Sequence, residues 1–259
     1  MQLMLGRDLV SQQNVYLDAS GSRAVLICGK RGSGKSYTLG VFIEELIAMG
    51  KKDVIPVIID PMGIYHTMVM RNDRQSGELY RWGLPAQSFS VRLLIPGVAR
   101  ELYDHDILDA LKQRGVETVE MRLNPSDLSP DGWCDLFNVN INQPLGIALF
   151  RAVQRLTKTK AEFTIEDIIT TIEDDERAQD VSKEALINRL EAADGWHLFN
   201  VGGYQAMDHI FRPGVVNIVD LSRLESGARG RRNLILSVIG RNLFRARSDA
   251  RLREEFGLA

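Results

Sequence analysis

The sequence predicts an α/β fold in which helices flank a mostly parallel sheet. Residues 24–28 form a continuous apolar run of strand length, and residues 54–60 form another. Between them, over residues 37–49, apolar side chains recur at the spacing of one helix face. Strand, helix and strand within this short stretch make a βαβ unit, which places both strands in one parallel sheet. A later apolar run at 215–220 leads into a long amphipathic segment at 226–248 and repeats the pattern.

The other elements follow from the same patterns and from capping signals. Two further strands are predicted at 88–95 and 118–123, after which the chain turns helical. The predicted helices there are 145–156, 164–173 and 183–193, and the second opens on a capping-box-like Thr164 and Asp167. We expect one domain over 1–259 with four parts: a short polar lead at 1–21, a βαβ part at 22–128, a helical insertion at 131–200, and a late strand with an arginine-rich helix at 214–259.

Composition and charge narrow the class of protein. The chain has 259 residues, of which 44% are hydrophobic and 25% charged, and no apolar run approaches the ~18 residues of a membrane span. We therefore expect a cytoplasmic protein. The formal net charge of −2 argues against a uniformly basic coat for DNA, yet eight arginines fall within 229–253. Such asymmetry favours one face that meets an anion or an acidic partner, although a solvated helix face is the alternative. Cys28 and Cys134 have no metal-site spacing, and Cys28 is predicted to be buried.

A glycine-rich loop joins the first apolar run to the first predicted helix, with the spacing Gly-x-x-x-x-Gly-Lys-Ser. Glycine lets the backbone turn so that its N–H groups point inward, where they can hold phosphate oxygens. The start of the helix adds the positive end of its dipole. Lys35 is predicted to reach the β- and γ-phosphates, and Ser36 to ligate Mg²⁺. The pattern predicts a site for a nucleoside triphosphate with magnesium, built from Gly29, Lys30, Arg31, Gly32, Ser33, Gly34, Lys35, Ser36 and Tyr37.

Such a site also needs an acid at the end of a buried strand, which holds the magnesium through a water molecule. Asp60 and Asp220 each end an apolar run, and neither is followed by Glu. Asp60 is the predicted magnesium group beside Ser36, and the predicted catalytic residues are Lys35, Asp60 and Asp220. An Asp in this position is also a common turn former or helix N-cap, so that interpretation of Asp220 stays open. The Asp-x-x-Gly of residues 60–63 is typical of GTPases, but the Asn-Lys-x-Asp guanine reader is absent.

Three segments together resemble the HerA-like ATPases, which are relatives of FtsK within the RecA-like P-loop class. They are residues 29–40 with the loop, residues 59–65 (Ile-Asp-Pro-Met-Gly-Ile-Tyr) and residues 219–224 (Val-Asp-Leu-Ser-Arg-Leu), in that order. The similarity covers about residues 20–250. It implies a RecA-like core with ATP as the nucleotide. It also implies a ring, usually a hexamer, that moves along or unwinds double-stranded DNA, often beside a nuclease in DNA repair.

Two departures accompany the resemblance. The small β-barrel domain that usually precedes the loop cannot fit into residues 1–21, and we expect it to be absent or to lie outside this chain. In the family the Asp-Leu-Ser strand is followed by the Walker B strand, a sensor strand and an arginine finger. We expect these to be missing from the 259 residues.

Two hypotheses about function follow. The first is an ATPase subunit of a DNA translocase or helicase, in which Arg241, Arg245 or Arg247 meets phosphates. The second is a regulatory or assembly module that binds ATP and Mg²⁺ without hydrolysing the nucleotide.

Overall fold

The computed structural model of the chain describes residues 2–21, 23–50, 54–201, 210–224 and 229–258. The chain forms two units. The first comprises Met1–Leu93, Asp109–Thr118 and Phe211–Val219, and the second comprises Leu94–Leu108, Val119–Ile210 and Asp220–Ala259. The glycine-rich loop and Asp60 belong to the first unit, whereas Asp220 and the arginine-rich helix belong to the second.

A four-stranded, all-parallel sheet runs through the fold and confirms the predicted α/β class. Its strands are β3 (Val57–Asp60), β4 (Val91–Pro96), β5 (Glu117–Met121) and β6 (Val216–Asp220), in the order β3-β6-β4-β5. Every residue of β4 and β6 is buried, whereas β3 and β5 are partly open. This difference is expected, since the two inner strands of a parallel sheet are covered on both faces. Pro56 lacks a donor N–H and precedes the edge strand β3, where it breaks no ladder.

The first unit carries a hairpin that the sequence did not predict. Strand β1 (Gln2–Arg7) pairs antiparallel with β2 (Asn14–Asp18), and the pairing has an irregularity between Met4 and Gly6. Helix α1 (Lys35–Ala48) contacts β1, and the Met4 N–H donates to the Glu45 carboxylate at 3.1 Å. The hairpin therefore occupies the polar lead and is anchored to the helix that follows the glycine-rich loop.

The first predicted strand is wrong. Residues 24–28 have no strand conformation, and Val25 and Leu26 expose 53% and 87% of their surface. Cys28 is exposed as well, which corrects the prediction that it is buried. An apolar run becomes a strand only when a neighbouring backbone pairs with it, and residues 24–28 have no ladder partner in the described ranges.

The helices lie mostly in the second half of the chain. Besides α1 they are α2 (Ser76–Trp82), α3 (Ala99–Leu102), α4 (His105–Gln113), α5 (Pro130–Phe137), α6 (Pro144–Thr159), α7 (Ile165–Glu173), α8 (Asp180–Asp194) and α9 (Arg229–Glu255). Short 3-10 turns lie at Tyr65–Val69 and Pro125–Asp127. Helix α9 continues past the predicted 248, and residues 226–228 of that prediction lie outside the described residues. No helix within the described ranges has the length and apolarity needed to cross a membrane.

The second unit has a well-packed core around α5 to α8. Trp133 is fully buried, its ring lies 5.3 Å from that of Phe199, and its indole N–H donates to the Pro125 carbonyl at 3.3 Å. Helix α7 begins at the predicted capping box, in which Thr164 and Asp167 each accept the other's backbone N–H. A buried tryptophan with a satisfied N–H is a strong packing anchor.

Candidate functional site

The glycine-rich loop turns where the sequence predicts that it must. Gly32 and Gly34 have φ values of +80° and +87°, in the left-handed region that favours glycine. A Cβ on Gly29 would lie 2.4 Å from the Ser33 hydroxyl oxygen, so a side chain there would require that hydroxyl to rotate away. The loop residues are exposed to solvent. The Lys35 ammonium bends back over the loop and donates to the Lys30 carbonyl at 2.6 Å.

The start of α1 fits a phosphate group. Gly34 is the N-cap and supplies no side chain to accept from the first turn. The Thr38 N–H donates to the Gly34 carbonyl at 2.8 Å, which is the first helical bond. The N–H groups of Lys35, Ser36 and Tyr37 precede that bond and therefore lack a helical acceptor. These amides, the Lys35 ammonium and the Ser36 hydroxyl together suit the oxygens of a phosphate with a divalent metal.

Asp60 is buried and is bonded to the loop that follows it. Its two carboxylate oxygens accept four backbone N–H groups, at distances of 2.7–3.0 Å, from Met62, Gly63, Ile64 and Tyr65. Gly63 has a φ of +67°, which lets the chain fold back so that these amides converge. A carboxylate offers about four lone-pair sites, and all four are used here. The arrangement gives Asp60 the role of organising the turn. Its role as a magnesium group stays a prediction, against which the four bonds weigh.

The turn organised by Asp60 carries Tyr65 to the nucleotide loop. Tyr65 is only 8% exposed, and its hydroxyl donates to the Ser36 carbonyl at 3.1 Å. Burial raises the pKa of this phenol, which therefore remains a protonated donor at neutral pH. The contact ties the segment after β3 to the first turn of α1, at Ser36 itself, which is the residue predicted to ligate Mg²⁺. Sequence reasoning missed Tyr65, although it stands in the segment 59–65 that carries the family resemblance.

Asp220 ends β6 in the second unit and has different partners. Its carboxylate accepts a hydrogen bond from the Tyr103 hydroxyl and one from the Ser222 N–H, the latter at 2.8 Å. The Arg223 guanidinium lies 4.9 Å from the centre of the Tyr103 ring. Asp220 therefore acts as a turn former, the alternative role considered in the sequence analysis, and is also bonded to the buried Tyr103. No sequence signal pointed to Tyr103, since 117 residues separate it from Asp220.

The arginines of α9 divide into bonded and open ones. Arg247 pairs with Glu254 at 3.3 Å, and Arg251 pairs with Glu255 at 2.8 Å. Arg241 and Arg245 instead line one groove of about 580 Å³, together with Ser126, Asp127 and Ser129. The side chain of Arg229 lies outside the described residues. Of the three arginines predicted to meet phosphates, the structure brings two together and bonds the third to an acid.

A metal ion at this site would have to be held at the loop rather than by a cluster of protein ligands. Within the described ranges, no group of three or more His, Cys, Asp or Glu side chains could hold a metal ion. A divalent ion at the loop would then be held by a few protein oxygens and by the phosphates of its nucleotide. This is how Mg²⁺ is commonly bound, because the ion keeps several of its waters.

The family model described as "Helicase HerA, central domain" matches residues 3–243. This match covers the hairpin, the glycine-rich loop, both strand-end aspartates and the first half of α9. No curated protein matches the sequence.

Proposed function

The chain belongs to the HerA family, with an ATPase domain of the HerA/FtsK type, and on that premise we propose that it binds ATP with Mg²⁺ as a subunit of a ring-shaped DNA translocase or helicase. The observation that supports this most is the loop at residues 29–36. Its positive-φ glycines, its helix start without a side-chain cap and the Lys35 ammonium over the loop suit a triphosphate. The hexameric ring, the double-stranded DNA and a nuclease partner rest on what the family resemblance implies.

The residues of the loop and those around it have distinct roles in binding the nucleotide. The loop amides and Lys35 bind the phosphates, and the Lys35 ammonium exchanges the Lys30 carbonyl for phosphate oxygens. The Ser36 hydroxyl is one ligand of Mg²⁺, which when bound neutralises charge on the β- and γ-phosphates. Asp60 and Tyr65 hold the first turn of α1 in place from the side of β3. Asp220 is a candidate for the acid that assists hydrolysis, because its carboxylate has accepting capacity beyond its two bonds.

DNA contact is proposed at the open arginines of α9. Arg241 and Arg245 line a common groove with Ser126 and Ser129, whose hydroxyls with the two arginines suit phosphate oxygens, whereas the Asp127 carboxylate in the same groove opposes them. Binding through phosphates should weaken steeply as salt rises. The double change Arg241→Ala and Arg245→Ala should weaken DNA binding and reduce the salt slope by about 2. The matched double change Arg247→Ala and Arg251→Ala, at residues paired with acids, should do less.

A non-hydrolysing module is the second candidate. Neither Asp60 nor Asp220 is followed by Glu, and the Asp60 carboxylate is already bonded to four amides. Under this alternative the chain binds ATP and Mg²⁺ to hold a conformation or an assembly. Turnover stimulated by duplex DNA in a ring would exclude it.

The deciding experiment measures ATP binding and turnover, with and without duplex DNA, for the chain and for Lys35→Ala. We expect Lys35→Ala to weaken ATP binding at least tenfold, because it removes the main cation on the β- and γ-phosphates. Lys158→Ala is the matched control, since Lys158 is an exposed lysine of α6 and not a residue of the loop. Unchanged binding in Lys35→Ala would refute the assignment of the loop. We expect weak turnover by the chain alone.

A further inference from the structure

A groove of about 830 Å³ runs along one face of α1 in the first unit. It begins at Ser36 and Tyr37, at the phosphate end of the helix, and continues past Gly40 to Glu44 and beyond. The opposite wall comes from the segment after β3 and from the residues before β4. Ser36 and Glu44 are eight positions apart, which is about 12 Å along the helix. This length is comparable to that of a nucleotide from its β-phosphate to its base.

Gly40 has no structural reason to be glycine. It lies in the interior of α1, where glycine costs roughly 1 kcal/mol relative to alanine. It does not have a positive φ, and a Cβ placed on it would meet no atom within 4 Å. Backbone conformation and packing therefore both allow a side chain. The space which that side chain would occupy belongs to the groove.

The walls of the groove leave apolar surface uncovered. Tyr37, Ile64, Met70 and Leu84 all line it, and their exposed fractions are 68%, 39%, 48% and 41%. Apolar side chains that gather around a concave surface, with a few polar groups, are typical of ligand sites. The flat faces of a heterocyclic base bind well to such side chains, especially to an aromatic ring.

We propose that this groove holds the nucleoside of the bound triphosphate, with a purine base against its apolar walls. The space for the base is present because Gly40 has no side chain. The inference rests on the proposed function, since it takes the phosphates to lie in the loop at residues 29–36. A ligand whose phosphates lie there meets the groove at Ser36 and Tyr37, where the helix side of the groove begins. A purine fits better than a pyrimidine because its larger faces bury more apolar surface.

Charge gives the ligand its direction. Glu44 and Glu45 line the helix side of the groove, and their carboxylates repel phosphate. The triphosphate is therefore favoured at the loop, beside Lys35, and the uncharged base in the groove. Glu45 already accepts the Met4 N–H, whereas Glu44 can accept from an amino group on the edge of a base. On the other wall Arg71 is paired with Asp73 at 2.7 Å and Arg74 also lines the groove, so the groove carries three carboxylates against two guanidinium groups.

The test compares ATP with inorganic tripolyphosphate, which has the phosphates and no nucleoside. The wild-type chain should bind ATP at least tenfold more tightly than tripolyphosphate. Gly40→Leu should remove most of that advantage and leave tripolyphosphate affinity within about twofold, because its side chain fills the groove. Gly40→Ala is the matched control and should keep most of the affinity advantage of ATP over tripolyphosphate. ATP and GTP should bind more tightly than CTP and UTP.

The outcomes separate this inference from the proposed function. If ATP and tripolyphosphate bind equally well and Gly40→Leu changes neither affinity, the groove is not the nucleoside site, while the loop assignment stands. If neither ligand binds at all, the proposed function itself has failed.

A second measurement does not depend on any variant. Photo-crosslinking with 8-azido-ATP attaches the base to the residues that it touches, and Lys35→Ala shows how much labelling needs the loop. We expect the label within residues 37–45 or 64–74. A label confined to other parts of the chain would overturn the inference. This holds even if Gly40→Leu weakens the binding of both ATP and tripolyphosphate.

Discussion

Strands β3 and β6 both end on a buried aspartate, Asp60 in the first unit and Asp220 in the second, and the two aspartates are used differently. In the first unit Asp60 accepts four backbone amides from the next five residues. In the second unit Asp220 accepts one backbone amide and the hydroxyl of a tyrosine that is distant in sequence. Both carboxylates are at most 3% exposed. Burial and position are therefore the same, and the partners decide what each aspartate does.

The difference indicates a division of labour. Asp60 is saturated by local bonds, so it fixes the conformation of a turn and acts on the nucleotide loop through Tyr65. Asp220 has a long-range partner and, among the described residues, two bonds for about four lone-pair sites. A group with spare lone pairs can still take a ligand or a proton, whereas a saturated one cannot without breaking its turn. Three predictions test this contrast and a fourth compares the cysteines of the two units, in order of decreasing expected effect.

The largest effect is expected for Asp60→Ala. Four amides that are bonded in the folded chain would lose a charged acceptor, and buried donors without partners are costly. We expect the free energy of unfolding to fall by roughly 3–5 kcal/mol. Urea unfolding followed by circular dichroism measures the change. Asp60→Asn should cost less, because the amide oxygen keeps two of the bonds. A loss below 1 kcal/mol for Asp60→Ala would contradict the saturated-turn assignment.

A double-mutant cycle on Asp220→Asn and Tyr103→Phe should show the coupling of the long-range pair. We expect an interaction energy of roughly 1–2 kcal/mol in unfolding, because the pair shares a buried, charge-assisted hydrogen bond. Asp249→Asn, at an exposed residue of α9 in the same unit, is the control and should be additive with Tyr103→Phe. Additivity of Asp220→Asn with Tyr103→Phe would show that the contact contributes nothing.

Much of the fold is predictable because its signals are local. The helical spacing of 145–156 and 183–193 predicted α6 and α8, and Thr164 with Asp167 located the start of α7. The runs that became β3 and β6 were recognised because buried parallel strands are continuously apolar. The run at 24–28 has the same composition and is not a strand. Pairing depends on which backbone lies alongside, and composition does not contain that information.

The residues of the site also divide into those that local sequence predicts and those that depend on the folded chain. The glycine-rich loop is predictable because its chemistry requires particular residues at fixed spacing. The four bonds of Asp60 depend on the backbone path through Gly63, and the Tyr65 contact depends on where that turn points. Tyr103 reaches Asp220 only after the chain has folded. Partners of this kind come from tertiary structure, so a single sequence leaves them hidden.

A moderate effect is expected for Tyr65→Phe, which keeps the buried ring and removes only the hydroxyl. Stability should fall by about 0.5–1.5 kcal/mol, the usual net value of a hydrogen bond. Because the hydroxyl holds the first turn of α1, the gain in ATP affinity on adding Mg²⁺ should shrink several-fold, with little change in metal-free affinity. Isothermal titration with and without Mg²⁺ measures both. An unaltered effect of Mg²⁺ on ATP affinity would mean that the Tyr65 hydroxyl does not position Ser36.

The smallest perturbation compares the two units through their single cysteines. Cys28, beside the loop in the first unit, is exposed, whereas Cys134 in the second unit is 1% exposed. Burial raises the pKa of Cys134 to about 11, and the neighbouring Asp131 and Asp135 charges act in the same direction. At pH 8 its thiolate, the reactive form, is therefore scarce as well as shielded. A disulfide-exchange reagent should titrate one thiol quickly in the folded chain and a second only in denaturant. Cys28→Ala should abolish the fast phase, and a fast phase that survives in that variant would show that the core around Cys134 opens readily.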